Sequence, residues 1–144
     1  MKYIKGDIWK YYKKKNTAIV IPTNGTLKNN DEAIMGRGLA KDVKDKIHGF
    51  AKLLGIQIFA WGNHVYNVKK NIYSFPTKHK WFYKSDLKLI KRSCKELVKL
   101  VDRDGYKKVI LPRVGCGNGK LNWKDVKLIL KKYFDDRFYI IRKV

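Results

Sequence analysis

Acidic residues are scarce in this chain. Twelve Asp and Glu face thirty-four Lys and Arg over 144 residues, a formal charge of +22. The imbalance says little about fold but points to an anionic partner. Lysine is spread along the whole length rather than gathered in a tail, so a solvated basic shell and a nucleic-acid surface both fit the count. Cysteine is rarer still: Cys94 and Cys116 allow one bridge at most and have neither zinc-site nor CxxC spacing, so free thiols are expected. His48 and His64 stand apart from each other and from any Cys or acid cluster, which gives metal catalysis no support. No apolar run approaches a membrane span, and the opening MKYIKGDIWK has no apolar signal core. A cytoplasmic protein with no membrane attachment is therefore the expectation. Pro/Ser-rich linkers and internal repeats are absent, and the only biased run is Lys13–Lys15.

What remains is foldable. Apolar residues make up 44% and aromatics 13% of the chain, well away from the profile of disorder. The length suits one domain, residues 1–144, expected as a monomer. Tyr3–Trp9 alternates enough for a strand, and Thr17–Ile21 (TAIVI) reads as a strand buried on both faces. Pro22–Gly38 is loop-like, and Leu39, Val43, Ile47, Phe50 and Leu54 then recur at helical spacing. Val65–Val68 and Asn71–Phe75 suggest a hairpin around Lys69 and Lys70. Ser85 can cap a helix whose apolar face runs from Leu89 to Val101 and which Gly105 stops. Val109–Leu111, a helix carrying Val126, Ile129, Leu130 and Phe134, and a strand over Phe138–Ile141 complete the order β-β-α-β-β-α-β-α-β. That order predicts an α/β fold, a mixed central sheet flanked by helices.

Two glycine-rich loops follow short apolar strands and precede helices, which puts them at the carboxyl ends of strands, where open α/β sheets bind ligands. In IMGRGLA, Gly36 and Gly38 let backbone approach a ligand while the next helix offers unpaired N–H groups to a phosphate. In GCGNG, Gly115, Gly117 and Gly119 alternate to give a nest of main-chain donors suited to a pyrophosphate. Either loop alone is as readily explained by tight turn geometry. Neither carries the P-loop pattern, and the first lacks the full GxGxxG fingerprint, so a nucleotide triphosphatase or a Rossmann dehydrogenase fits poorly.

Taken in order, Gly6-Asp7-Ile8, Asn24 after IVIPT, MGRGLA, FPTKHKW at 75–81 and LPRVGCGNGKLNW at 111–123 resemble macro domains. The likeness is greatest to the branch holding the DarG-type DNA ADP-ribosyl glycohydrolases and the terminal ADP-ribose protein glycohydrolase. It implies the three-layer macro-domain sandwich, an ADP-ribose cleft, no cofactor and no metal. It also implies roles for residues. Asp7 would accept from the adenine amino group and Ile8 would offer its N–H, although Asp7 also suits a simple turn. Asn24 would face the distal ribose and orient it, or serve only as a turn former. Gly36, Arg37 and Gly38 would line the phosphate and ribose path. Thr77 and Pro112 would contribute to the walls. Val114, Gly115, Cys116, Gly117, Asn118 and Gly119 would wrap the diphosphate.

Lys78, after the FPT segment, would be the nucleophile that attacks the anomeric carbon of the distal ribose. An amine attacks only when neutral, so burial or nearby cations must lower its pKa, and His79, Lys80 and Arg37 are candidates for that field. Where some relatives have an acid in the second glycine loop, Asn118 and Gly119 stand here. Asp125 is a possible substitute acid, though its place in a helix first turn also complements the helix dipole. Cys116 lacks a motif-placed base and reads as a small packing residue. Trp81, Phe82 and Tyr83 suit base stacking, a lid or the core equally. The resemblance therefore implies an ADP-ribosyl glycohydrolase acting on a modified macromolecule, with a nucleic-acid carrier favoured by the charge. The alternatives are a non-catalytic ADP-ribose-binding module and an ADP-ribose 1″-phosphate phosphatase.

Overall fold

A computed structural model describes residues 1–144. Six strands form one sheet: β1 (Lys2–Lys5), β2 (Thr17–Asn24), β3 (Asn67–Lys69), β4 (Ile72–Lys78), β5 (Lys108–Leu111) and β6 (Phe138–Arg142). Their spatial order is β1-β6-β5-β2-β4-β3. All pairings are parallel except β3 with β4, so the sheet is mixed, as the element order predicts.

Four helices cover both faces: α1 (Gly38–Lys46), α2 (Phe50–Trp61), α3 (Leu87–Asp104) and α4 (Trp123–Tyr133). Successive residues of the inner strands alternate between two cores. Ala18 and Val20 of β2, with Val109 and Leu111 of β5, pack against Cys94, Leu97 and Leu130 of α3 and α4. Ile19 and Ile21, with Ile110, pack against Val43, Phe50 and Leu54 of α1 and α2. Burial on both faces is what makes TAIVI a continuous apolar run. No helix is long and apolar enough to cross a membrane.

Three local expectations change. The first strand ends at Lys5, because Gly6 has φ +142° and Asp7 then caps a 3₁₀ turn over Ile8–Lys10 by accepting from the Trp9 N–H. The helical periodicity from Leu39 to Leu54 belongs to two helices, α1 and α2, which meet at Gly49. Gly49 adopts φ 77°, a left-handed conformation that suits glycine. Asp86, rather than Ser85, caps α3, accepting from the N–H groups of Lys88 at 2.8 Å and Leu89 at 3.4 Å. Gly105 ends that helix as expected, at φ 78° with its N–H on the Val101 carbonyl.

One close approach fixes the first glycine-rich segment. Gly55 of α2 lies against the backbone of Asp31–Ala33, and a methyl group there would overlap the Asp31 carbonyl. Gly55→Ala should therefore destabilise the protein by about 2 kcal/mol through overpacking, despite the gain of about 1 kcal/mol in helix propensity. Urea unfolding of the two proteins checks the sign, and an increase in midpoint would show that the segment is free to move away.

Candidate functional site

The carboxyl ends of β2, β4 and β5 open into a cavity of about 620 Å³. Its register is informative. Along β2 and β4 the pairing runs residue for residue from Ile19–Ile72 to Thr23–Pro76, then slips so that Asn24 stands opposite Lys78. A one-residue irregularity of this kind redirects side chains at a strand end. Two residues 54 positions apart in the chain thus become lateral neighbours.

The walls come from the two glycine-rich loops. Gly36, Arg37 and Gly38 stand on one side, Gly115, Gly117, Asn118 and Gly119 on the other, with Asn24, Thr77, Lys78 and Pro112 between them. The loops approach closely, since a methyl group on Gly38 would lie 3.6 Å from the Asn118 amide nitrogen. Gly38 and Gly115 have φ of 57° and 76°, the left-handed region in which a side chain is strained. Gly36 and Gly117 have open space where a Cβ would be. Gly119 is sterically required for a different reason: a methyl group there would overlap Ser85 Oγ and the Gly115 carbonyl. That contact leaves no room for any side chain at 119, an acid included.

Unpaired main-chain donors belong to residues on both sides of the cavity. The N–H groups of Gly117, Asn118 and Gly119 donate to no carbonyl in the chain, whereas Cys116, Lys120 and Leu121 close the loop internally. At the opposite wall the N-cap of α1 is Arg37, which makes no side-chain cap hydrogen bond. The first N–H groups of α1 are therefore available to an anion, with the helix dipole reinforcing them.

The electrostatics are one-sided. Lys28, Arg37, Lys78 and Arg113 line the cavity, and no carboxylate does. Lys78 Nζ donates to the Trp81 carbonyl at 3.3 Å and the Asn118 carbonyl at 3.5 Å. Its pKa is lowered, first by burial and then by the positive charges of Arg37 and Lys120. Lys120 replaces His79 and Lys80 in the expected field. His79 instead pairs through Nε2 with Asp86 Oδ2 at 3.2 Å.

Other expected site residues sit as follows. Asn24 is partly committed to its own turn, with Oδ1 accepting from Thr26 N–H at 2.9 Å and Nδ2 donating to the Ile34 carbonyl at 3.1 Å. One N–H and one lone pair remain. Ile8 lines a second cavity of about 300 Å³ that shares Gly38, Leu39 and Pro112 with the first. Asp7 is exposed and lines neither, its Oδ1 occupied by the Trp9 N–H. Val114 is fully buried in the core beneath the second loop. Cys116 packs against that core, with its thiol on the Val114 carbonyl and its pKa pushed up by burial. The side chains of Val114 and Cys116 are thus supports rather than cavity walls. Asp125 is exposed in the first turn of α4, also outside the cavity.

Lys28, Arg113 and Ser85 are among the wall residues not singled out as site residues from the sequence. Lys28 gives no local signal. Arg113 lies inside the LPRVGCGNG motif, and its guanidinium stacks over Trp123 at 4.9 Å. Ser85 is buried, donates its main-chain N–H to the Gly119 carbonyl at 3.0 Å, and has an Oγ with no partner in the chain.

Comparison with known proteins bears on the family and the fold. The family model described as Macro domain matches residues 35–130. A DNA ADP-ribosyl glycohydrolase of Thermus aquaticus is 28% identical over 109 residues, 68% of this chain and 30% of that protein. The chain thus spans less than a third of that relative. Human ADP-ribose glycohydrolase OARD1 is 26% identical over 136 residues, 92% of this chain and 83% of its own length. Among solved structures, the macrodomain of Mycobacterium tuberculosis DarG superposes with a TM-score of 0.79 at 23% identity, covering 97% of this chain and 95% of that one.

The lysine environment yields a direct expectation. Lys78 should titrate below the ordinary lysine value of 10.5, and Arg37→Gln or Lys120→Gln should each move it upward by removing a neighbouring charge. Carbon-detected NMR of the lysine side chains would read both changes. An upward move with neither variant would mean that burial alone sets the value.

Proposed function

We propose that this chain, which belongs to the macro domain family, is an ADP-ribosyl glycohydrolase that binds ADP-ribose and releases it from a modified macromolecule, with ADP-ribosylated DNA as the favoured carrier. The observation that carries this reading is the juxtaposition of Asn24 and Lys78 at the floor of a cavity with four cationic side chains and no carboxylate. Its volume of about 620 Å³ falls in the range of small-molecule sites. The names of the Thermus aquaticus and human relatives point to the same reaction class, and the charge of +22 favours a nucleic-acid carrier.

Each part of ADP-ribose has a counterpart. The free N–H groups of the second loop and of the α1 N-terminus address the diphosphate from two sides. The adjoining cavity beside Ile8 takes the adenosine end. The distal ribose lies over Asn24 and Lys78, where the remaining amide groups of Asn24 orient its hydroxyls.

The reaction follows from an amine in an acid-free site. Neutral Lys78 Nζ attacks the anomeric carbon as the bond from that carbon to the carrier breaks. The bonding pair leaves with the carrier atom, which takes up a proton. Water then adds to the resulting lysine-sugar adduct, expels the amine and releases ADP-ribose, restoring Lys78. In the free site burial and then the neighbouring charges keep the lysine more often neutral; in the complex the diphosphate offsets part of the charge effect, and burial persists.

Lys78→Ala should abolish release from ADP-ribosylated DNA while leaving ADP-ribose affinity within a few fold, because a covalent step contributes to the transition state and not to ground-state binding. Release kinetics and calorimetry test the pair, and a variant that still releases at near wild-type rate would move the chemistry to water. The wild-type rate should climb with pH up to the lowered lysine pKa, where the neutral amine becomes the dominant form. Parallel assays on ADP-ribosylated protein and on ADP-ribose 1″-phosphate identify the carrier.

A separate expectation concerns the second loop. Gly117→Glu has room to fold, since nothing lies within 4 Å of the added Cβ, but it places a carboxylate among the phosphate donors. Thermal unfolding should stay close to wild type while calorimetric binding of ADP-ribose is lost.

A further inference from the structure

The segment after the candidate nucleophile carries an aromatic surface that the proposed reaction does not use. Trp81, Phe82 and Tyr83 are 43%, 61% and 46% exposed. Their rings form a continuous edge-to-face series, with centroids 5.6 Å apart for Trp81–Phe82 and 4.8 Å for Phe82–Tyr83. Three consecutive exposed aromatics keep much apolar area in water, which marks an interaction surface.

The platform is held in place relative to the cavity. The Trp81 N–H donates to Thr26 Oγ1 at 3.0 Å, Tyr83 N–H donates to the Lys80 carbonyl at 3.0 Å, and Lys78 Nζ donates to the Trp81 carbonyl. Trp81 itself forms part of the cavity wall. The surroundings are cationic: Lys78, Lys80 and Lys84 lie within this stretch, which has no acid, and Lys28 stands on the adjoining wall. Asp86, the next carboxylate, is committed to the α3 cap and His79.

About half-exposed rings among lysines suit a polymer that presents flat bases between phosphates. Stacking on aromatic side chains needs unpaired bases, since a duplex hides theirs. The position is also appropriate, because a carrier bonded to the anomeric carbon over Lys78 leaves the cavity past Trp81. We propose that Trp81, Phe82 and Tyr83 form a base-stacking subsite for the unpaired nucleotides next to the ADP-ribosylated one. The direction of approach rests on the glycohydrolase reading; the stacking surface does not.

The test uses fluorescence anisotropy with labelled oligothymidylate of about ten nucleotides, within the usual site size of single-strand binders, and an abasic oligomer of equal length and charge. The wild type should bind the thymidylate about tenfold or more tightly than the abasic strand. The double variant Phe82→Ala/Tyr83→Ala should bring the two together, with free ADP-ribose affinity unchanged by calorimetry as the control for folding. Salt slopes for the thymidylate strand should match between wild type and variant, since the phosphate contacts persist, at about −0.7 per phosphate neutralised.

Equal wild-type affinity for the two strands would overturn the proposal, as would tighter binding to phosphatidylserine vesicles that the double variant loses. Base-dependent binding without release from any ADP-ribosylated substrate would retain the subsite and sink the glycohydrolase reading. Release from single-stranded ADP-ribosylated DNA that the double variant leaves unaltered would do the reverse.

Discussion

The parallel pairing of β2 with β4 is the constraint on which the site depends. Both strands lie in the middle of the sheet, buried on both faces, so their register is fixed by two cores at once. A slip of one position along either strand would turn its core residues toward the wrong layer. The irregularity therefore falls where the cores end, between Thr23 and Asn24. It is there that Asn24 and Lys78 come level. The same pairing places the turn of Thr26 beside the loop after Lys78, where the Thr26 hydroxyl accepts from Trp81.

Around that pair the structure concentrates positive charge and excludes negative charge. In water, four cations with no counter-ion would repel weakly; at a partly enclosed site the interaction is stronger and weighs on protonation. Burial first, and then the charges of Arg37 and Lys120, weigh on Lys78, whose neutral form gains. An anionic ligand relieves the same repulsion and so favours the charged amine, which means that phosphate affinity and a neutral Lys78 draw on the same cations in opposite directions. Glycine at 119 belongs to this arrangement: the close contact with Ser85 and Gly115 that locks the loop leaves no room for a carboxylate side chain.

The two exposed apolar surfaces differ in kind. The outer side of α2 shows Leu53, Ile56, Phe59 and Trp61, away from the cavity walls. The Trp81–Tyr83 surface touches the cavity and is flanked by lysines. Only the second joins shape, charge and chemistry at one place.

Element order and the two glycine-rich loops were legible in the sequence because they are written in local patterns. The continuous apolar run TAIVI, the apolar face of α3 and the Gly105 stop report what each segment buries or how it ends, and these patterns survive without knowledge of neighbours. Alternating glycines marked GCGNG as a candidate loop, whereas Lys78 became a candidate only through the resemblance of its FPTK segment to the family. The break at Gly49 was hidden because Ile47 and Phe50 keep helical spacing across it. Tertiary structure alone decided that Asn24 stands opposite Lys78, that Lys120 rather than His79 supplies charge beside it, and that Ser85 lies under Gly119 instead of capping α3. Those facts depend on which strand pairs with which and on loops meeting across the sheet edge. Charge and contact at such distances in sequence leave no periodic trace, so they emerge only when the two cores have fixed the register.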